Sequence, residues 1–158
     1  MGLFSYFHKV KKISFILLLL LSSCELNADQ ESSLHTAMVS YINSRNNGAV
    51  MSYVGYTHPN VVAFYKSAGD SIFKANFDLS NEEERPFYQD GIIKSIETNG
   101  KSIHVKYEFK KIESENYFLD VADIVVIAIS EDDGVTWFFI DEKDYLNDKI
   151  ISKKDRLV

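Results

Sequence analysis

The spacing of apolar residues changes at Pro86, and this change limits the fold more than any other feature of the sequence. Before Pro86, apolar residues recur every three or four positions, which is the period of an amphipathic helix. After it they alternate with polar residues, which is the period of a strand with one buried face. Helices followed by consecutive strands predict an α+β fold, with N-terminal helices packed on a curved antiparallel sheet of about four strands.

The first half of the chain predicts three helices. Residues 32–45 place apolar side chains at helical spacing, and residues 69–77 do so again. Between them, residues 49–54 suggest a shorter helix, which should end near Gly55 and His58-Pro59 because the residue before a proline disfavours helical dihedral angles.

The second half predicts four strands, over residues 87–98, 103–110, 117–129 and 135–140. Asn99-Gly100 is a strong hairpin signal between the first two. Strict alternation in the second strand predicts one buried and one solvent-exposed (wet) face. The buried face should carry Ile103, Val105, Tyr107 and Phe109, and the wet face His104, Lys106, Glu108 and Lys110. The polar tail from residue 142 is predicted to be loop with at most one short element.

The first 24 residues read as an export signal. Three lysines, Lys9, Lys11 and Lys12, precede an apolar run over residues 13–21, which is shorter than the ~20 residues needed to span a bilayer. The residues Leu-Ser-Ser-Cys that follow resemble the lipobox of bacterial lipoproteins. The resemblance implies that residues 1–23 are removed and that Cys24 is lipidated. The alternatives are a buried core cysteine and an ordinary cleaved signal.

This interpretation divides the chain into a signal peptide over residues 1–23, a lipidated cysteine with a polar tether over residues 24–33, and one domain over residues 34–158. It predicts a bacterial cell-envelope protein held on a membrane by its lipid, with the domain in the periplasm or outside. Glu25 is not the aspartate that retains lipoproteins at the inner membrane of enteric bacteria. An outer membrane is therefore favoured where the cell has one.

Charge and cysteine content limit the other partners. All 23 acidic residues follow Cys24 while three lysines precede it, so the mature part is three units more negative than the −6 of the whole chain. An acidic domain repels phosphate backbones, and nucleic acid is not expected as a partner. One cysteine excludes an internal disulfide and a cysteine-cluster metal site.

The order of elements, the segment His-Pro-Asn-Val-Val at residues 58–62 and the segment at residues 133–141 resemble the cone-shaped family that contains nuclear transport factor two, ketosteroid isomerase and the polyketide cyclases. In that family helices and a bent sheet enclose a pocket, which binds small molecules in the enzymes. The resemblance implies a pocket for a small apolar ligand. The aromatic residues expected to line it are Tyr41, Tyr53, Tyr56, Tyr107 and Trp137.

Asp123 is a candidate general base. On a regular strand it shares its side with Val121, Val125 and Ile127, so alternation points the carboxylate into an apolar face, where burial would raise its pKa. An aspartate in the pocket acts as base in the isomerases of the resembling family. The alternative is a bulge near Ala122 that turns Asp123 outward.

Residues 130–137, Ser-Glu-Asp-Asp-Gly-Val-Thr-Trp, match the Asp-box of sialidase-like propellers, where it shapes a turn and does not catalyse. One copy in a short chain makes no propeller, so the match predicts local geometry only. Asp132 should accept hydrogen bonds from backbone amides, Gly134 should adopt a positive φ, and Trp137 should pack beneath the turn. A calcium site at residues 131–133 is the alternative.

The remaining polar residues predict no cofactor and no metal. His35, His58 and His104 are scattered without metal-ligand spacing, so surface or turn-capping roles are predicted for them. No serine, cysteine or threonine lies in a nucleophile-elbow or glycine-rich setting.

Two hypotheses for function follow. The first is a non-enzymatic, lipid-anchored envelope protein that binds a small apolar ligand or an envelope protein. The second is a pocket enzyme of the isomerase or cyclase kind, with Asp123 as base and a tyrosine that stabilises an oxyanion.

Overall fold

A computed structural model describes residues 25–80, 87–112 and 124–158. In these segments helices come first and strands follow, which confirms the predicted α+β class with helices and a four-stranded antiparallel sheet. The helices before the sheet are α1 Ala28–Asn46, α2 Val50–Tyr56, α3 Pro59–Ser67 and α4 Asp70–Phe77. The strands are β1 Phe87–Asn99, β2 Ser102–Ile112, β3 Ile124–Ser130 and β4 Phe138–Asp141, hydrogen-bonded in that order. A one-turn helix, α5 Glu142–Tyr145, and a 3-10 turn, Lys153–Asp155, complete the chain.

Helix α1 begins at Ala28, four residues before the predicted start. The reason is a capping box. The side-chain oxygen of Asn27 accepts the backbone N–H of Asp29 and of Gln30, both at 3.0 Å, and the side-chain oxygen of Gln30 accepts the N–H of Asn27 at 2.9 Å. Leu26, one residue earlier, already packs against the core. Residues 28–33 of the predicted tether are therefore helical.

The sequence does not predict helix α3, because His58-Pro59 indicates only the end of the preceding helix. Pro59 instead occupies the first position of α3, where its missing N–H costs nothing. The ring nitrogen Nδ1 of His58 accepts the N–H of Asn60 at 3.2 Å, which caps the helix. The predicted turn-capping role of His58 is thus confirmed, and α2 ends at Tyr56, close to the predicted end; the helix that begins at Pro59 was not predicted.

The alternation in β2 is confirmed on its buried side and is wrong at His104 on the other side. Ile103, Val105, Tyr107 and Phe109 are all buried towards the helices, and the hairpin to β1 turns at Gly100 with φ 64°. His104, however, is only 1% exposed although it was assigned to a wet face.

The chain after β4 explains this burial. Tyr145, Ile150 and Ile151 are buried, and the Tyr145 ring lies 5.7 Å from the ring of His104 between centroids. Glu142 pairs with Lys106 of β2 at 2.7 Å. The tail predicted as loop therefore covers the second face of the sheet.

The turn at residues 130–137 has the predicted Asp-box geometry. The Asp132 side chain accepts the N–H of Thr136 at 2.8 Å, and Gly134 has φ 84°. Trp137 is buried beneath the turn and donates its ring N–H to the Gly134 carbonyl at 3.0 Å. Strand β4 starts at Phe138, three residues later than predicted, because the turn extends to Trp137.

The helices of the described residues include none that is long and apolar enough to cross a bilayer. The predicted signal peptide and Cys24 lie outside those residues, as does Asp123.

Replacing Gly134 by alanine should lower the free energy of unfolding by about 1–3 kcal/mol, as measured by urea denaturation. The residue has a positive φ, and an added Cβ would lie 2.6 Å from Cγ of Gln30. The matched control is Gly55→Ala in α2, where a Cβ meets nothing within 4 Å and alanine favours the helix by about 0.5–1 kcal/mol. Equal effects of the two substitutions would contradict this account of the turn.

Candidate functional site

Two of the predicted pocket residues, Tyr41 and Tyr53, meet in the space between the helices and the sheet. Both hydroxyls accept a hydrogen bond from Nη1 of Arg45, at 3.1 and 3.2 Å. The same nitrogen lies 3.2 Å from the carboxylate of Asp141 at the end of β4. Tyr41 also stacks on Phe139, with 4.5 Å between ring centroids. These side chains contact one another and fill the space that a ligand would need.

Burial sets the protonation of this cluster. Desolvation raises the pKa of Tyr41 well above its ordinary value, and the neighbouring Asp141 adds to the effect. Burial likewise raises the pKa of Tyr53. Both hydroxyls therefore stay protonated at neutral pH. They act as hydrogen-bonding groups of the core and not as bases.

A cavity of about 20 Å³ remains beside the cluster. Its polar lining includes Tyr65, whose hydroxyl donates to the carboxylate of Asp144 at 2.8 Å. Burial raises the pKa of Asp144. A space of this size holds about one water molecule, so the predicted pocket for a ligand is not open at this position.

The other predicted pocket residues lie elsewhere in the core. Tyr56 is half-buried, with its ring 6.5 Å from that of Phe139. Tyr107 stacks on Phe109 at 5.9 Å, and burial raises its pKa to about 12. Trp137 belongs to the Asp-box turn. The structure thus brings Tyr41, Tyr53 and Tyr56 around β4 and places Tyr107 and Trp137 apart from them.

Arg45 and Asp141 were missed although both had a readable signal. Arg45 continues the helical spacing of the buried residues Leu34, Met38 and Tyr41 on α1. Asp141 lies two residues after the buried Phe139 and so shares its side of β4. When charged residues of opposite sign each continue the apolar face of a different element, they are candidates for an ion pair at the edge of the core.

A larger cavity lies on the opposite face of the sheet. It is a groove of about 320 Å³ between β2 and β3, the start of α3 and the C-terminal segment. We call it the rear groove. It is lined by His58, Asn60, His104, Ile129, Glu131, Ile151, Ser152 and Asp155. The side-chain amide of Asn60 donates to the carbonyl of Ile150 at 3.1 Å, which ties the C-terminal segment to α3 and holds the groove in shape.

His104 is held neutral in the rear groove by its partners. The Tyr145 hydroxyl accepts the N–H of Leu157 and of Val158, so its own proton is directed to Nδ1 of His104 at 2.8 Å. The other ring nitrogen, Nε2, then carries the proton and donates to the Ser102 hydroxyl at 3.2 Å. Burial lowers the pKa of His104 to about 4.

The lining of the rear groove carries negative charge at neutral pH. Burial also lowers the pKa of His58, so both imidazoles are uncharged there. Glu131 and Asp155 contribute negative charge, and the carboxylate of Glu131 lies 4.0 Å from Nε2 of His104. Among the described residues no group of three or more histidine, cysteine, aspartate or glutamate side chains is placed to hold a metal ion. At residues 131–133, Asp132 accepts bonds from the turn and Asp133 accepts the side-chain amide of Gln30 at 2.9 Å.

Acidification should destabilise the protein through His104. Between pH 6.5 and about 4 the unfolded chain binds a proton at this position and the folded chain does not. As the pH is lowered through this range, the free energy of unfolding should therefore decrease by up to about 3 kcal/mol. Urea denaturation at pH 7 and pH 4.5 measures the loss. His104→Asn is the control, because its side-chain oxygen can accept from Tyr145 without titrating. The variant should lose less stability on acidification, and an equal loss in both proteins would refute the role of His104.

No protein-family model matches the chain, and no curated protein or solved structure matches it at a significant level. The chain's own residues are therefore the basis for assigning a function.

Proposed function

We propose that the protein is a lipid-anchored component of a bacterial cell envelope, and that its domain is a non-enzymatic module that binds a small molecule in the rear groove. The observation that carries the binding function is the contrast between the two cavities. The space between helices and sheet has room for about one water, whereas the rear groove has a volume of about 320 Å³. Small-molecule sites begin at roughly 300 Å³.

The lining of the rear groove indicates a ligand different from the apolar one expected from the sequence. Ile129 and Ile151 provide an apolar surface, while Glu131 and Asp155 provide negative charge. Asn60 and Ser152 add hydrogen-bonding groups. The ligand that fits this lining is a small molecule with an apolar part and an ammonium group or several hydrogen-bond donors.

The engagement of His104 supports binding over catalysis. Both of its ring nitrogens are used in hydrogen bonds within the protein, to Tyr145 and to Ser102. A general base needs a free acceptor aimed at the substrate, and this imidazole has its acceptor nitrogen occupied. Its role is to shape the groove.

The N-terminal sequence supports the location. The charged start, the short apolar run and the lipobox at Cys24 form the pattern of a lipoprotein precursor. Two or three acyl chains on one cysteine anchor a domain durably, because each buried methylene contributes about 0.8 kcal/mol.

The cone-shaped fold of the nuclear transport factor two family remains part of this proposal. It is supported by helices that precede the sheet and by the antiparallel order β1-β2-β3-β4. In this proposal the cone's usual pocket is filled by the cluster around Arg45, and the ligand site lies on the other face of the sheet.

Lipidation is tested by feeding radiolabelled palmitate to bacteria that express the full chain. The label should appear in the wild-type protein and be absent from Cys24→Ser, which cannot form the thioether. An unlabelled wild-type protein in the cytoplasm would refute the anchoring.

Ligand binding is tested by native mass spectrometry of protein purified from the envelope of its own host. The wild type should carry a small-molecule adduct, and Ser152→Trp should lose it, because the indole fills the rear groove. Ser71→Trp is the matched control, since Ser71 is an exposed serine on α4 that lines neither cavity. It should keep the adduct. An adduct that survives Ser152→Trp, or a wild type without one, would contradict the assignment of the groove.

A further inference from the structure

We propose that one end of the domain lies directly against the bilayer that holds the lipid. This inference rests on the proposed lipidation of Cys24. The surface in question, which we call the anchor end, consists of residues 25–31 and the turn at residues 131–135. Its partner is the headgroup region of the membrane in which the acyl chains are inserted.

The first argument is the length of free chain. Leu26 packs against the core and Asn27 caps α1, so the chain is fixed in place from two residues after Cys24. Two residues span at most about 7 Å. The ten-residue tether predicted from composition would have reached about 33 Å when extended. The acyl chains therefore hold Leu26, where the ordered domain begins, within about 7 Å of the lipidated residue.

The second argument is that hydrogen bonds hold the two segments of the anchor end together. The side-chain amide of Gln30 donates to the Asp133 carbonyl at 3.1 Å and to its carboxylate at 2.9 Å. The hydroxyl of Ser33 donates to the carbonyl of Gly134, and the ring N–H of Trp137 lies 2.8 Å from that hydroxyl oxygen. A membrane that meets the first turn of α1 consequently meets the turn at residues 131–135 as well.

The surface chemistry of the anchor end indicates how it meets the membrane. Val135 is 75% exposed in the turn, so its apolar side chain is available for contact with the membrane. The exposed carboxylates of the anchor end are Glu25, Asp29, Glu31, Glu131, Asp132 and Asp133. They are excluded from the acyl region, so contact is at the level of the headgroups, with Val135 as the most deeply placed side chain.

Met51 supplies a matched reference at the other end of the domain. It is 85% exposed and follows shortly after the C-terminus of α1. The 19 residues of α1 span about 27 Å, so Met51 lies at roughly one helix length from the anchor end.

The experiment uses the fact that Cys24 is the one cysteine of the chain and is blocked when acylated. Val135→Cys and Met51→Cys each introduce a unique thiol, to which a fluorophore is attached in the full lipidated protein. The proteins are reconstituted in phosphatidylcholine vesicles that contain headgroup spin-labelled lipid. Most of the fluorescence at position 135 should be quenched and most of that at position 51 retained. Equal quenching at the two positions would overturn the proposal.

Two controls separate this inference from the proposed function. The parent protein should take up no thiol label when Cys24 is acylated. If it is labelled at the thiol and does not incorporate palmitate, the lipid anchor itself is refuted. A ten-residue Gly-Ser insertion after Glu25 should keep the palmitate label but reduce quenching at position 135 to the level at position 51. Intact lipidation with unchanged quenching in the insertion variant would overturn the close contact alone.

Discussion

The largely buried charge of Arg45 is the constraint that holds the two halves of the domain together. It bonds Tyr41 within α1, Tyr53 of α2 and Asp141 of β4, and its guanidinium carbon lies 4.3 Å from the ring centroid of Tyr88 on β1. Four elements therefore meet at one cation. Removing one partner from a fully buried ion pair typically costs about 3–5 kcal/mol, and the cost is smaller for this pair because the side chains of Arg45 and Asp141 are 12% and 22% exposed. The side chain of Asn46 reinforces it by exchanging two hydrogen bonds of 3.1 Å with the backbone of Tyr88.

The same cluster determines where a ligand site is available. Because polar and aromatic side chains fill the space between helices and sheet, that face serves stability. The other face is covered by the C-terminal segment, which leaves a space between itself, the start of α3 and the strands β2 and β3. The rear groove is the gap that remains there. The 17 residues after β4 thus both cover the second face of the sheet and form one wall of the candidate site.

The sequence was informative where one local pattern decides the structure. Alternation in β2 placed Ile103, Val105 and Tyr107 correctly, and the Asp-box predicted the contacts of Asp132 and Gly134, because these depend on neighbours along the chain. Prediction from the sequence failed where contacts between residues far apart in the chain determine the structure. The burial of His104 comes from Tyr145, 41 positions later, and the rear groove joins residues of α3, β2 and the tail. Alternation alone cannot show that both faces of a strand are covered.

The error at residues 28–33 shows how one local signal outweighs composition. These residues are polar because they form an exposed turn of helix, and the pair Asn27 and Gln30 is a capping signature that composition does not register. The earlier start of α1 also shortens the distance expected between the candidate site and the proposed membrane. Glu131 belongs both to the anchor end and to the lining of the rear groove. In the proposed lipid-anchored state the chain is fixed from Leu26 onward, so the groove would be held beside the bilayer, where it would meet molecules that leave or enter the headgroup region before those in bulk solution.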